Sequence, residues 1–189
     1  AVEMPARLPD GGVHEDGGVE AHHVGARLHE VAPPQPLDVL LELDAEAIYR
    51  QLARRAREHY VAKPLNLVGV HTGGVWPAER LKRELNVQAP VGILDVSFYR
   101  DDFEQSGLKS AVRPSQIAFD VAGSHVLLVD DVLNSGRTVR AAMNEIFDYG
   151  RPARIDLAVL IDRGGRELPV AASIVGATIE LPASVGVVL

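Results

Sequence analysis

Apolar and polar positions follow two alternating patterns from about residue 37 onward. Short apolar runs bounded by Gly, Pro or polar residues are typical of buried strands, and apolar residues spaced three and four apart are typical of helices. The predicted strands are residues 65–70, 91–98, 125–129 and 155–161, and the predicted helices run over 44–60, 76–85 and about 137–150. Strands that alternate with single helices predict an α/β fold with a doubly wound, mostly parallel sheet.

The predicted helices carry clear boundary signals. Asp44 is the expected N-cap of the first helix, and Gly150 with Pro152 is expected to end the third. One face of that third helix is apolar, so we expect it to lie in the core. The face consists of Val139, Ala142, Met143, Ile146 and Phe147.

Residues 1–37 differ from the rest of the chain. They hold two Gly-Gly pairs, a Pro-Pro pair and four of the seven histidines, without helical or strand periodicity. We therefore expect a flexible or artefactual extension over 1–37 and one domain over 38–189. A metal cluster is the alternative for the four histidines, but their irregular spacing favours solvated side chains. They are His14, His22, His23 and His29.

The composition narrows the possible functions. A chain of 189 residues, 47% hydrophobic, is large enough for one domain with a substantial core. It contains no cysteine, which excludes disulfides, thiolate metal sites and cysteine nucleophiles. No apolar stretch approaches membrane-spanning length, and no apolar signal region begins the chain, so we expect a cytoplasmic protein without a membrane partner. The net charge of −7 argues against a general nucleic-acid binder, although a local basic face remains compatible with it.

The most informative stretch is VLLVDDVLNSGRT, residues 126–138. Its apolar strand delivers Asp130 and Asp131 to the carboxyl end, where open α/β sheets bind ligands, and paired carboxylates can accept hydrogen bonds from vicinal sugar hydroxyls. The turn behind them aims backbone N–H groups at a phosphate, just before a helix N-terminus. Together these features suit a ribose 5-phosphate. The turn residues are Asn134, Ser135, Gly136, Arg137 and Thr138.

Two other interpretations explain this stretch less well. A buried strand that ends at a solvated pair of acids does not account for the turn that follows. In a phosphorelay receiver domain an apolar strand also ends in paired acids, but the phosphoacceptor and a lysine lie far downstream. Here fewer than 60 residues follow Asp131, and Lys109 is the last lysine.

The stretch resembles the phosphoribosyl-diphosphate (PRPP) binding motif of type I phosphoribosyltransferases, in register over all thirteen positions. Further segments resemble one family in particular, the PyrR family of pyrimidine-operon regulatory proteins with uracil phosphoribosyltransferase activity. These segments are LDVSFYRDD, VDDVLNSGRTVRAAMNEIFDYGRPARIDLAVLIDRG and RELP, within about residues 40–175. The resemblance implies transfer of the 5-phosphoribosyl group from PRPP to uracil, which gives UMP and pyrophosphate.

The resemblance also implies roles for the other loops. Thr72, Gly73 and Gly74 would bind the pyrophosphate, although a tight structural turn would have the same sequence. Arg100, in a polar excursion over 99–116, would meet the same group. The alternative for Arg100 is a surface arginine paired with a neighbouring aspartate.

The base, the metal and the assembly follow from the same resemblance. Asp162 and Arg163 would lie beside uracil, although Asp162 is also a candidate turn-capping acid. Mg²⁺ would bridge PRPP oxygens and be held by substrate and water, without direct protein ligands. The family's members usually form dimers or larger assemblies, so we expect a homo-oligomer.

Three positions depart from the family pattern. Gly73 stands where arginine is expected in the pyrophosphate loop, so catalysis is expected to be weaker or to depend on Arg100. Gly165 replaces a histidine, and Ala177 stands where a lysine is frequent. The last two lie in or near regions associated with RNA contact and the base pocket.

The family's regulatory activity adds a second expected partner, the leader mRNA of a pyrimidine operon, bound in response to UMP. Such binding depends on arginine and lysine contacts to phosphate. The candidate arginines are Arg54, Arg57 and Arg166, with Arg55 and Arg163 as further ones. Two alternatives remain open: a nucleotide-sensing RNA regulator with little or no catalysis, and a phosphoribosyltransferase that acts on another base and has no RNA role.

Overall fold

The computed structural model describes residues 39–60, 64–96, 114–181 and 185–188. The expected extension over 1–37, Arg100 and most of the predicted excursion lie outside these residues. The helices are α1 (Ala45–His59), α2 (Val75–Glu84) and α3 (Arg137–Tyr149). The strands are β1 (Val39–Glu42), β2 (Asn66–Val70), β3 (Gly92–Leu94), β4 (His125–Leu133), β5 (Arg154–Asp162), β6 (Ile174–Thr178) and β7 (Val185–Val188).

Five parallel strands form the main sheet, in the order β3-β2-β4-β5-β6. The chain passes from β2 through α2 to β3 on one side, and from β4 through α3 to β5 on the other. The direction of winding therefore reverses between β2 and β4, and ligands bind at the carboxyl ends of strands at such a point. The predicted doubly wound α/β fold is confirmed. Strands β1 and β7 pair in a separate parallel sheet.

Helices cover both faces of the main sheet, which buries the apolar strand residues. Helices α1 and α2 pack with Leu67, Leu127 and Val129 on one face. Helix α3 packs with Val68 and Leu128 on the opposite face. Adjacent strand residues point to opposite faces, so a strand covered on both sides reads as a continuous apolar run.

Individual residues at the element boundaries test the sequence predictions. Asp44 caps α1 as predicted, since its carboxylate accepts a hydrogen bond of 3.0 Å from the Ala47 N–H. Helix α3 begins at Arg137 and ends before Gly150, also as predicted. The placement of Phe147 in the core is wrong, because 54% of this residue is exposed. Its neighbour Ile146 is fully buried, and one residue of helix turns the side chain away from the sheet.

A buried carboxylate ties together the amino-terminal end of the sheet. Asp156 accepts hydrogen bonds from the Tyr60 hydroxyl (2.9 Å), His125 (2.8 Å) and Arg154 (2.8 Å). Burial raises the pKa of Asp156, but the bonds from Arg154, His125 and Tyr60 outweigh it and hold this pKa well below its ordinary value. Burial, followed by the bond to Asp156, raises the pKa of the Tyr60 hydroxyl. This cluster lies at the amino-terminal ends of β4 and β5, far from the carboxyl ends at which such folds bind ligands.

Candidate active site

The two acids of β4 lie at the carboxyl end of the central strand. Asp130 is only 5% exposed, and its carboxylate accepts a hydrogen bond of 2.9 Å from the Asp131 N–H. Asp131 is half-buried, and its Oδ1 accepts a bond of 2.7 Å from the Val132 N–H. The second oxygen of Asp131 faces Gly73 of the loop that follows β2. The structure thus brings the acid pair and the predicted pyrophosphate loop together.

The loop between β2 and α2 lies directly against β4. Gly74 is buried, and a Cβ at this position would overlap the Val129 carbonyl oxygen and lie 2.9 Å from the Asp130 Cα. The Gly74 N–H donates to the Val70 carbonyl at 2.9 Å. The peptide bond between His71 and Thr72 is cis. Thr72 is exposed beside these buried glycine contacts, and its hydroxyl lies 3.0 Å from Nδ1 of His71.

The turn behind β4 forms the N-terminus of α3. Gly136 has a φ of +92°, a left-handed conformation that favours glycine, and it is the N-cap residue of α3. Ser135 is buried, and its hydroxyl accepts a bond of 3.3 Å from the Arg137 N–H. The side chain of Arg137 instead pairs with exposed Glu167. The first turn of α3, which includes Thr138, carries the partial positive charge of a helix N-terminus, and this charge suits an anion.

The loop after β5 reaches the same edge of the sheet. The Arg163 N–H donates to the Leu133 carbonyl at 3.1 Å. Asp162 accepts a bond of 3.0 Å from the Gly164 N–H and pairs with Arg166 at 2.5 Å. Asp162 therefore does cap a turn, the alternative that its sequence position left open. Its backbone remains beside the carboxyl end of β4.

A left-handed turn explains why residue 165 is a glycine. Gly164 and Gly165 both have positive φ values, +72° and +69°. A Cβ on Gly165 would lie 2.7 Å from Asn134 Oδ1. A side chain at this position is strained both by its backbone conformation and by its contact with Asn134 of the turn over residues 134–138.

The candidate RNA-contact arginines fall into two groups. Arg54 is exposed on α1, and Arg57 on the same helix pairs with Glu84 of α2 at 2.5 Å. In contrast, Arg55 bonds to the Val175 carbonyl, and Arg166 is held among backbone carbonyls of two loops. The side chain of Arg166 is 23% exposed. Sequence reasoning did not anticipate this internal placement of Arg166.

Comparisons with known proteins agree with this geometry. The phosphoribosyl transferase domain family matches residues 39–188. The "Bifunctional protein PyrR" of Nitrosococcus oceani is 51% identical over 154 residues, which cover 78% of this chain and 84% of the relative. Its counterpart in Pseudomonas aeruginosa is 53% identical over 148 residues, with the same coverage. The chain belongs to the PyrR family of phosphoribosyl transferases.

The solved structures agree with the fold found here. The crystal structure of a purine phosphoribosyltransferase from Pyrococcus horikoshii superposes with a TM-score of 0.57 at 25% identity, over 79% of this chain and 91% of that one. The family resemblance of the sequence is therefore confirmed. The convergence of loops at the β2–β4 reversal agrees with membership of the PyrR family.

The described residues contain neither a membrane-spanning helix nor a cluster of metal-ligating side chains. No helix in that part of the chain is long and apolar enough to cross a bilayer. Nor do its His, Cys, Asp and Glu side chains form a group of three or more that could hold a metal ion.

The contact between Gly73 and Asp131 predicts the effect of restoring the family's arginine. A Cβ on Gly73 would overlap the Asp131 carboxylate, which must then rotate away. We expect Gly73→Arg and Gly73→Ala both to lower kcat/KM for PRPP at least about tenfold. The displaced Asp131 carboxylate would lose one charge-assisted hydrogen bond to PRPP, and such a loss costs about 1.5 kcal/mol or more. Steady-state kinetics measures this. A gain in Gly73→Arg with a neutral Gly73→Ala would show that charge at this position matters and the overlap does not.

Proposed function

We propose that this protein transfers the 5-phosphoribosyl group of PRPP to uracil and releases UMP and pyrophosphate. The observation that carries the proposal is the convergence of an acid pair on β4 and two loops at the winding reversal. The acid pair Asp130–Asp131, the phosphate-binding turn over 134–138 and the glycine loop over 72–74 meet there. The confirmed family and its bifunctional relatives support it.

Different residues of the site bind different parts of PRPP. Asp130 and Asp131 accept hydrogen bonds from the ribose hydroxyls, while the turn over 134–138 surrounds the 5-phosphate with N–H groups at the positive end of α3. The loop over 72–74 faces the pyrophosphate with backbone groups and the Thr72 hydroxyl. Because the sugar passes through an oxocarbenium-like state, these residues act by positioning the reactants and by stabilising the departing negative charge.

Magnesium fits this site as a companion of PRPP. The half-buried Asp131 leaves one carboxylate oxygen toward the pyrophosphate loop, and a cation held mainly by substrate and water needs no larger set of protein ligands. When bound, Mg²⁺ would neutralise negative charge on the pyrophosphate. Arg100 is proposed to help with the same charge.

The base is the least constrained part of the substrate. Asp162 and Arg163 stand at the carboxyl end of β5, next to β4, and we propose that they lie beside uracil. Incubation with PRPP, Mg²⁺ and each free base, scored for nucleotide product, tests this. Uracil should give product at a rate at least about tenfold above hypoxanthine, guanine or adenine. A purine product alone would replace the uracil assignment.

A second proposed activity is regulation of pyrimidine-operon expression through binding of the leader mRNA, in response to UMP. A groove of about 380 Å³ between α1 and α2 is lined by Arg50, Arg54 and Arg57, together with Glu84. Arg54 is exposed in this groove, and Arg57, its neighbour there, is paired with Glu84. Exposed arginines on this surface suit RNA phosphates, despite the net charge of −7 of the whole chain. Arg55 and Arg166 do not belong to this surface because their guanidinium groups bond to backbone carbonyls.

The exposed position of Arg54 predicts a measurable salt effect. Arg54→Gln should weaken binding of a pyrimidine-operon leader RNA and reduce the slope of log K against log salt by about one. Arg151, exposed just beyond α3, is the matched control, and Arg151→Gln should leave the slope unchanged. Gel shifts with and without UMP at several salt concentrations measure both. Equal slopes for Arg54→Gln and the parent would remove Arg54 from the RNA surface, and a parent that binds no leader RNA would exclude the regulatory activity.

Further expectations from the sequence remain part of this proposal. They are a homo-oligomer of two or more chains, a cytoplasmic location, and a domain over 38–189 that follows a separate extension over 1–37. Light scattering of the purified protein tests the first.

A further inference from the structure

Arg166 occupies the space between the phosphate-binding turn and the loop after β5. Its Nη1 donates to the carbonyls of Leu133 (3.2 Å), Asn134 (2.6 Å) and Gly164 (3.0 Å). Its Nε donates to the Val170 carbonyl at 3.0 Å, and its Nη2 pairs with Asp162 at 2.5 Å. One side chain therefore binds both loops.

Backbone contacts join the same two loops. The N–H groups of Glu167 and Leu168 both donate to the Ser135 carbonyl at 3.0 Å. Together with the Arg166 bonds, they place hydrogen-bond donors from the loop after β5 on three consecutive carbonyls, at residues 133–135. Residues 134 and 135 belong to the turn proposed to receive the 5-phosphate, so these bonds join that turn to the loop after β5.

We propose that Arg166 is a positioning residue that joins the phosphate-binding turn to the base loop, residues 162–170, so that the two move together. Occupancy of the phosphate site then orders the loop that recognises the base. The planar guanidinium suits this role because its fixed donors reach several acceptors at once, which a lysine ammonium on a flexible stem does not. The identity of the base rests on the proposed function, whereas the coupling between the loops does not.

A ligand that contacts both loops can be compared with a ligand that contacts only one. This comparison distinguishes a positioning role of Arg166 from a general loss of structure. UMP is expected to meet both loops, while ribose 5-phosphate meets the phosphate-binding turn alone. Arg166→Gln should weaken UMP binding at least about tenfold and ribose 5-phosphate binding less than about threefold, a difference of about 0.7 kcal/mol or more. Arg166→Lys should fall between the parent and Arg166→Gln. Equal losses for both ligands, or no loss for UMP, would overturn the proposal.

The matched control removes an arginine that lies outside both loops. Arg151, just beyond α3, is exposed, and exposed charges contribute little. The affinity of Arg151→Gln for both ligands should stay within about twofold of the parent. A loss as large as that of Arg166→Gln would show that removal of any arginine weakens binding, and would overturn the specific role of Arg166.

Hydrogen exchange tests the coupling without any assay of activity. Ribose 5-phosphate should slow exchange of the amides over 162–170 in the parent, and this protection should be lost in Arg166→Gln although the ligand still binds. Protection in both proteins, or in neither, would overturn the proposal. A parent that shows protection but makes no UMP would refute the proposed function and leave the coupling standing.

Discussion

Replacing Asp131 with asparagine is expected to lower kcat/KM for UMP synthesis about 100-fold while the fold is retained. The substitution keeps the size of the side chain and one oxygen, so the bond from the Val132 N–H can persist. It removes the negative charge that strengthens bonds from the ribose hydroxyls. Two charge-assisted bonds that become ordinary ones lose about 3 kcal/mol together, which is a factor of roughly 100 in rate.

Steady-state kinetics with PRPP and uracil, together with thermal unfolding, checks this result. Asp148, an exposed acid near the end of α3, provides a charge-matched control. Asp148→Asn should keep the parental rate within about twofold. A parental rate in Asp131→Asn would show that the acid pair has been assigned the wrong role. A collapse of the unfolding temperature would instead show that Asp131 holds the β2–β4 edge together.

Removal of the Asp156 carboxylate is expected to cost the most stability. Asp156 is 4% exposed and receives hydrogen bonds from Tyr60, His125 and Arg154. Asp156→Ala leaves those donors without their acceptor, and breaking a buried pair in this way typically costs about 3–5 kcal/mol. For a domain of this size that is a fall in Tm of roughly 6–20 °C. Urea unfolding measures the loss, and Glu167→Ala, which breaks an exposed pair, should change stability by about 0.5 kcal/mol or less.

The depressed pKa of Asp156 also sets the pH dependence of this contribution. A carboxyl whose pKa is lower in the folded state stabilises the fold fully above its unfolded pKa, near 3.9, and loses that contribution as the pH falls further. The stability difference between the parent and Asp156→Asn should therefore be constant from about pH 7 to pH 5 and shrink below about pH 4. A difference that is unchanged at pH 3, or that grows there, would contradict a lowered pKa of Asp156 in the folded protein.

The sequence predicted the central part of the fold because its signals there are local. The apolar run that ends in Asp130 and Asp131 is buried on both faces, and the helix start at Arg137 follows from the turn before it. Strand β6, with only five residues and an exposed end, has no comparable pattern. Phe147 was misplaced because helical spacing gives the direction of a side chain and does not give the width of the sheet beneath it.

The sequence proposes the residues of the candidate site but does not give their contacts. The close approach of Gly73 to the Asp131 carboxylate joins residues far apart in the chain, so no local pattern reveals it. Arg166 looks like a surface arginine within Arg-Glu-Leu-Pro. The left-handed turn at Gly164 and Gly165 returns the chain so that Arg166 lies against β4 and the phosphate-binding turn. Such placement depends on loop geometry, which the sequence pattern does not specify.

The central claim is that the acid pair at the β2–β4 reversal serves phosphoribosyl transfer to uracil. Its most direct test is a side-by-side assay of the parent and Asp131→Asn with PRPP, Mg²⁺ and uracil, scored for both UMP and pyrophosphate. The account predicts equal amounts of the two products from the parent and a rate about 100-fold lower from the variant. No UMP from the parent, or the same rate from both proteins, would contradict it.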